Sequence, residues 1–416
     1  MISLCQKTLP TLKNSAMDHT SMDRFLTVVD TAQIKEYLEL QKQEIIDFIK
    51  SLVKIETPSY NPAAQRELFA IVEEKLSGRG MHTYIIPGKK SGGILYARPS
   101  IRQKKRPVQL LMGHSDTVWP KGTLRKMPLS HSNGKIHGPG VFDMKAGISQ
   151  IVFAIKTIKS LGLETSLETV ILINSDEEIG SRESTPIIRR ISQLSERIFV
   201  LEPPLGLEGK LKTARKGLGR FTITVKGIAA HAGLDPGMGA SAIVELSYQI
   251  QKLFALNDIA KGITVNVGMI EGGRAANVVA PESKAVIDVR VLTEKDAEEI
   301  TQKIYSLSPV TPGTKIEIDG GMGRPPMEKT DRNQKLWALA HAAGRKINIE
   351  LEEETAGGGS DGNTSSLYAA TLDGLGTVGD GAHAVHEFIY LDKFIERTLL
   401  LILLLTAKSL NNIGNA

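Results

Sequence analysis

Three apolar runs in this chain end the same way. VQLLMG (108–113), TVILINS (169–175) and RIFVLE (197–202) each read as a buried strand that runs straight into histidine, aspartate or glutamate. From about 33 to 213 such strands alternate with helical patterns, among them KAGISQIVFAIKTIKSLG (145–162), which ends at a glycine. That alternation predicts an α/β fold around a mostly parallel sheet. Ligands of such sheets bind in the crevice beyond the carboxyl ends of the strands, so the polar residues there carry the question of function.

In LLMGHSDTVWP (110–120), His114 and Asp116 stand two positions apart at a strand end. Residues i and i+2 of an extended segment share a face, which suits a metal ligand and its orienting partner. Taken alone, the pair reads equally well as a polar turn. Four further stretches place acids or imidazoles at element ends: GPGVFDMKAG with Asp143, NSDEEIGS with Asp176, Glu177 and Glu178, LEPP with Glu202, and GDGAHAVHE with His383, His386 and Glu387. Each is by itself a helix cap or a solvated turn. Together, two imidazoles and three carboxylates suit a pair of zinc-like ions that share one carboxylate and a water. Three carboxylates and a hydroxide would also balance the charge of two divalent ions. The adjacent glutamates then need different tasks, one as ligand and one as proton acceptor.

Between 214 and 327 the pattern becomes strand, helix, two strands, helix, strand, the order of a small ferredoxin-like α+β unit. It reads as a small domain inserted into a larger one made of 33–213 and 328–416. A length of 416 residues agrees with two domains. Residues 1–32 read as a loosely ordered tail without the apolar core of a secretory signal. With 51 basic and 46 acidic residues spread along the chain, no stripe tracks phosphates, which argues against nucleic acid as a partner. The run LLLILLL (399–405) is far short of the roughly 20 residues that span a bilayer and reads as a buried terminal helix, so no membrane association is expected. The single cysteine, Cys5, agrees with a cytoplasmic location.

GHSDTV, GPGVFDMKAG, NSDEEIGS and HAG, in this order, resemble the co-catalytic zinc peptidases and deacylases. That family includes glutamate carboxypeptidases of the carboxypeptidase G type, carnosinase-like dipeptidases, aminoacylase, acetylornithine deacetylase and succinyl-diaminopimelate desuccinylase. The resemblance covers nearly the whole chain after residue 40 and is nearest to the carboxypeptidase G branch. It implies His114 and Glu202 as metal ligands, Asp143 as the bridge, Glu178 and a late histidine as the remaining ligands, and Glu177 as general base. The family places a histidine four residues before an acid, which selects His383, with Glu387, over His386. Asp116 would fix the tautomer of His114.

The resemblance further implies that the larger domain is catalytic, that the inserted one is a lid and dimerisation domain, and that His231, in KGIAAHAG, reaches the active site of a second copy in a homodimer. Asn277, Arg290 and Arg324 match substrate-binding positions, the arginines as forks for a carboxylate. TAGGGSDGN (355–363) lacks the surroundings of a phosphate loop and resembles a loop in which Gly359 or Ser360 offers backbone contact to the substrate. Lys210 falls near a position linked to preference for a glutamate side chain. The implied cofactors are two zinc ions per subunit, with cobalt or manganese as alternatives. The implied activity is hydrolysis of an amide next to a free C-terminal carboxylate in a small peptide or N-acyl amino acid. A deacylase or dipeptidase with the same centre is the first rival. A non-catalytic peptide-binding relative is the second, and the intact Glu177 and ligand set speak against it.

Overall fold

The computed structural model describes residues 19–103 and 105–411. Helices α1 (Thr31–Leu40), α2 (Lys42–Lys54) and α3 (Pro62–Ser77) precede strands β1 (Met81–Ile86), β2 (Ile94–Pro99) and β3 (Val108–His114). Then come α4 (Ala146–Ser160), β4 (Glu168–Asn174), α5 (Thr185–Ser192), β5 (Ser195–Val200) and β6 (Leu211–Arg215). The second unit comprises β7 (Gly217–Lys226), α6 (Ala242–Phe254), β8 (Thr264–Gly272), β9 (Glu282–Val291), α7 (Glu294–Tyr305) and β10 (Lys315–Arg324). The chain closes with α8 (Asp331–Lys346), β11 (Glu353–Ala356), α9 (Asp361–Ser365), β12 (Ala370–Leu372) and α10 (Leu391–Thr406).

The main sheet has the order β1-β2-β4-β3-β5-β12. Its inner pairs, β4 with β3, β3 with β5 and β5 with β12, are parallel, as expected. The outer β1 and β2 join antiparallel, so one margin departs from the parallel reading. All seven residues of β4 are buried, the mark of a strand covered on both faces. The apolar run near the C-terminus lies in α10, buried without a break from Thr398 to Thr406. Buried Arg197 donates to the carbonyl of Leu404 in the helix's last turn and to those of Ala407 and Lys408 just beyond it. Among the described residues, no helix is long and apolar enough to cross a membrane.

The inserted sheet has the order β8-β9-β7-β10, antiparallel throughout, as the ferredoxin-like pattern requires. It has its own core, in which Phe221, Ile223 and Ile287 of the sheet meet Leu246 of α6 and Ile300 of α7. The main core, centred on α4 and α10, is separate. We keep 214–327 as the proposed extent of the inserted unit. Its β8 is an edge strand with Met269 and Ile270 exposed at 68% and 62%, and α6 exposes Ile243, Val244 and Tyr248 nearby in the fold. An open apolar edge of this kind is a surface for pairing with another chain.

The loose tail expected over residues 1–32 needs correction in its later part. His19–Phe25 forms a 3-10 turn whose Met22 and Phe25 enter the main core, and the Phe25 carbonyl accepts from Lys408 N at 2.8 Å. Two buried apolar side chains hold it down. Residues 1–18, with Cys5, lie outside the described residues.

Candidate metal centre

Parallel register brings the strand ends level. His114 lies beside Asn174, and Met112 beside Val200, so His114, the Glu177–Glu178 turn and Glu202 leave the sheet at one edge. Asp143 arrives on the single turn Val141–Lys145 that leads into α4, preceded by Gly140 at a φ of 71°. His383 comes from the loop after β12. It holds a φ of 61°, a backbone state that is costly without glycine and clusters at functional sites.

These side chains converge. His114 Nε2 lies 3.1 Å from Asp143 Oδ1 and 3.4 Å from Glu202 Oε1. His383 Nε2 lies 3.4 Å from Asp143 Oδ2 and 3.3 Å from Glu178 Oε2. The two oxygens of Asp143 therefore face different imidazoles, the arrangement of a carboxylate shared by two ions. Ligands about 2.0–2.1 Å from a tetrahedral ion stand roughly 3.3 Å from one another. Charge-assisted N–H···O hydrogen bonds are shorter, about 2.7–2.9 Å. The spacings here match the former. Among the described residues, no lysine or arginine pairs with Asp143 or Glu178, so the donor set fits two divalent ions by charge as well as by spacing. His386 is 63% exposed and faces Asp380 at 3.9 Å, outside the cluster.

The same surroundings set the protonation of the ligands. Donation from its ring N–H to the Asp143 and Glu178 carboxylates lifts the His383 pKa to about 10. Burial opposes the His114 imidazolium, yet Asp116, Asp143 and Glu202 hold its pKa well above the usual histidine range. Asp143 is held well below the carboxylate range by the two histidines, against its burial. Without metal, both imidazoles are therefore biased toward their charged forms. In the apoprotein the His383 contribution to stability is complete below its unfolded value near 6.5 and is lost as pH rises toward about 10. Metal binding runs the other way, because a ligating imidazole must be neutral. Loading the apoprotein at pH 7 is expected to release protons, that of His383 among them, and apparent affinity is expected to rise with pH. Calorimetric titration in buffers of differing ionisation enthalpy measures the release; binding without proton release would refute these protonation states.

Asp116 differs in detail from its expected role. His114 Nδ1 lies 2.9 Å from the Asp116 main-chain oxygen and 3.4 Å from the carboxylate, so the nearer acceptor is the carbonyl. The buried carboxylate instead accepts from Ser59 Oγ at 2.7 Å and from the main-chain N–H groups of Glu177 and Glu178 at 3.2 and 3.1 Å. One aspartate thus places a histidine through its carbonyl and the paired glutamates through its side chain.

Arg324 is engaged within the site. Its buried guanidinium meets Glu177 Oε1 at 3.0 Å, the Glu177 carbonyl at 2.9 Å, Ser181 Oγ at 3.1 Å and Asp361 Oδ1 at 3.2 Å. In the single chain it holds Glu177 in place. Burial raises the Glu177 pKa well above the usual carboxylate range despite Arg324 and His114. Arg290 is more accessible: it pairs with half-exposed Asp288 at 2.8 Å and donates to the Gly357 carbonyl at 2.9 Å, and a surface pair of this kind exchanges at little cost. The Ser360 N–H, half of the backbone contact expected at Gly359 or Ser360, donates to Asn363 Oδ1, and its hydroxyl caps α9 and donates to Asp373. Gly359 packs against the Arg324 stem. Lys210 pairs with Glu352 at 3.0 Å.

His231 and Asn277 are exposed neighbours in the inserted unit, joined where Ala232 N donates to the Asn277 carbonyl at 3.0 Å. His231 Nδ1 accepts from Gly233 N and Leu234 N at 3.2 and 3.1 Å, which leaves the ring proton of the neutral form on Nε2 as a donor. Among the described residues, no ion pair or hydrogen bond links His231 to the ligands of its own chain.

Arg215, which the sequence reading passed over, belongs to this site. It grips Asp373 at 2.7 and 3.1 Å, approaches Glu202 Oε2 at 3.6 Å and donates to the Gly358 carbonyl. Arg215 and Arg324 stand where the chain enters and leaves the inserted unit, each with an aspartate partner and each against a carboxylate of the site. The available signal was Asp373, another acid directly after a buried strand.

A family model for the M20 peptidase dimerisation domain matches residues 213–309. The chain is 27% identical over 354 residues to carboxypeptidase G2 of Pseudomonas sp. (strain RS-16), covering 83% of this chain and 84% of the relative. It is 26% identical to succinyl-diaminopimelate desuccinylase of Delftia acidovorans, over 71% of this chain and 80% of the relative. The solved structure of aminopeptidase PepT from Bacillus cereus shares the fold with a TM-score of 0.75 at 20% identity, covering 88% of this chain and 98% of that one.

Proposed function

We propose that this chain, which matches the M20 peptidase dimerisation domain over residues 213–309 and is 27% identical to carboxypeptidase G2, is a metallopeptidase of that kind and cleaves an amide bond beside a free C-terminal carboxylate, in the manner of a glutamate carboxypeptidase. The observation that carries this reading is the pair of histidines on opposite oxygens of Asp143, with Glu177 beside them. Two divalent ions at these ligands, zinc in our reading, would polarise the scissile carbonyl and acidify the attacking water. His114 and Glu202 would hold one ion, Glu178 and His383 the other, and Asp143 would serve both. Glu177 takes the proton of the attacking water and returns it to the leaving amine. Burial holds its pKa above the usual carboxylate range, which favours keeping the proton it takes until the leaving amine receives it. Arg290 receives the substrate carboxylate by exchanging Asp288 for it, and Gly359 lines that side of the cleft.

The active form is a homodimer paired along β8 and α6, whose apolar side chains are open in the single chain. The oxyanion is met by Nε2 of the partner subunit's His231, with the partner's Asn277 beside it.

A screen of metal-loaded protein on folyl-type or N-acyl glutamates, acetylated amino acids and dipeptides, reading free amine, tests the reading. Release from the N-acyl glutamates is the expected result, and matched C-terminal amides should react far more slowly. Arg290→Lys should lose that discrimination, since a lysine keeps the charge without the planar fork. Wild-type protein that cleaves amides as readily as acids would overturn the assignment. Preference for acetylated amino acids or dipeptides would favour the deacylase or dipeptidase reading of the same centre.

A further inference from the structure

We propose that Glu387 is a positioning residue that fixes the spacing between Asp143 and His383 and thereby decides whether the second metal ion is held. The proposal rests on the dinuclear reading of the site. Glu387 closes the segment that carries His383, and it is buried. Its Oε1 accepts from the main-chain N–H groups of Phe142 at 2.9 Å and Asp143 at 3.0 Å. Its Oε2 accepts from Gly140 N at 2.8 Å and from the Trp119 indole at 3.0 Å. Four donors occupy the carboxylate, three of them from the turn that delivers Asp143, so Glu387 serves as an anchor and not as a ligand.

The main chain of Glu387 completes the brace. Its carbonyl accepts from Gly138 N at 3.3 Å, and its N–H donates to Ala384 O at 3.1 Å, folding the histidine loop back on itself. Gly381 is needed for that fold, since it holds a φ of 82° and a Cβ there would lie 2.9 Å from the Glu387 Cα. The ligands of the first ion that lie on strand ends, His114 and Glu202, are placed by sheet register and do not depend on this carboxylate. Asp143 and His383 lie on loops, and Glu387 is the group that ties those two loops together. A glutamine here would set an NH₂ group against backbone N–H donors, so the anchor needs an acid and not merely a polar side chain.

Metal content discriminates. Wild-type protein and Glu387→Gln are titrated with Co²⁺ in a metal buffer, with stoichiometry from elemental analysis and site occupancy from the absorption spectrum. Because Asp143 is shared by both ions, the first is expected to weaken slightly and the second, which also relies on His383, by about 10–100-fold, in the range found when groups that orient ligands are removed. Activity lost at low metal should return as metal is raised, with KM unchanged. Equal affinity for both ions in variant and wild type, or equal weakening of both, would overturn the proposal. If Glu387→Gln does not fold, Trp119→Phe, which removes one of the four donors, is measured against the same two outcomes. A wild-type protein that binds only one ion would instead defeat the dinuclear reading itself.

Discussion

Glu177→Ala is expected to retain both metal ions while turnover falls by about 10²–10⁴-fold, the contribution of a positioned general base. The expectation follows from how two adjacent acids are made to diverge. β4 ends at Asn174, and the next residues form a tight turn whose N–H groups at Glu177 and Glu178 both donate to Asp116. With the main chain held at two successive residues, the side chains must leave in different directions. Glu178 reaches His383 at 3.3 Å, whereas Glu177 turns to Arg324 at 3.0 Å. Removing Glu178 should therefore empty a metal site, and removing Glu177 should not. Because Glu177 also receives Arg324, Glu177→Gln is the better control: it keeps an acceptor for the guanidinium but cannot take a proton. Loss of an ion from Glu177→Ala, with full metal in Glu178→Ala, would exchange the two roles.

What was legible in the sequence and what was not divides along physical lines. Strand-end residues were legible, because a buried apolar run fixes a strand and parallel register then brings its successors together; His114, Glu177, Glu178 and Glu202 all follow that rule. The inserted unit was legible from periodicity, since its amphipathic strands and helices alternate cleanly. The partners of long cations were not. Arg324 ends a strand at the rim of the inserted unit, and nothing in its neighbourhood announces that its guanidinium reaches across to Glu177 and Asp361, residues 147 and 37 positions away in the chain. The same holds for Arg215 and Asp373, 158 positions apart. Asp116 shows a subtler limit: spacing placed the residue correctly beside His114, but which of its oxygens takes which donor depends on the turn that Glu177 begins.

His231→Ala should lower turnover by roughly 10²–10³-fold, the usual loss when a donor to a developing oxyanion is removed, without changing metal content. The histidine is exposed in the single chain, its Nδ1 accepts from two main-chain N–H groups, and among the described residues no hydrogen bond or ion pair joins it to the centre of its own chain. An isologous dimer formed along β8 would let each inserted unit serve the other subunit. Complementation separates that arrangement from action in cis. Inactive His231→Ala is mixed with inactive Glu177→Ala under conditions that exchange subunits. In a mixed dimer, the site with an intact Glu177 then receives the partner's intact His231, while the other site lacks both. Random exchange at equal concentrations makes half the dimers mixed with one working site each, so recovery should approach roughly a quarter of wild-type activity per chain. A histidine acting within its own subunit gives no recovery, because every site then lacks either the base or the donor. Exchange itself is followed with two affinity tags. Charged substitution at Met269 or Ile270 on the exposed edge should abolish both the dimer and the recovered activity; a variant that stays monomeric yet fully active would remove the need for a second copy.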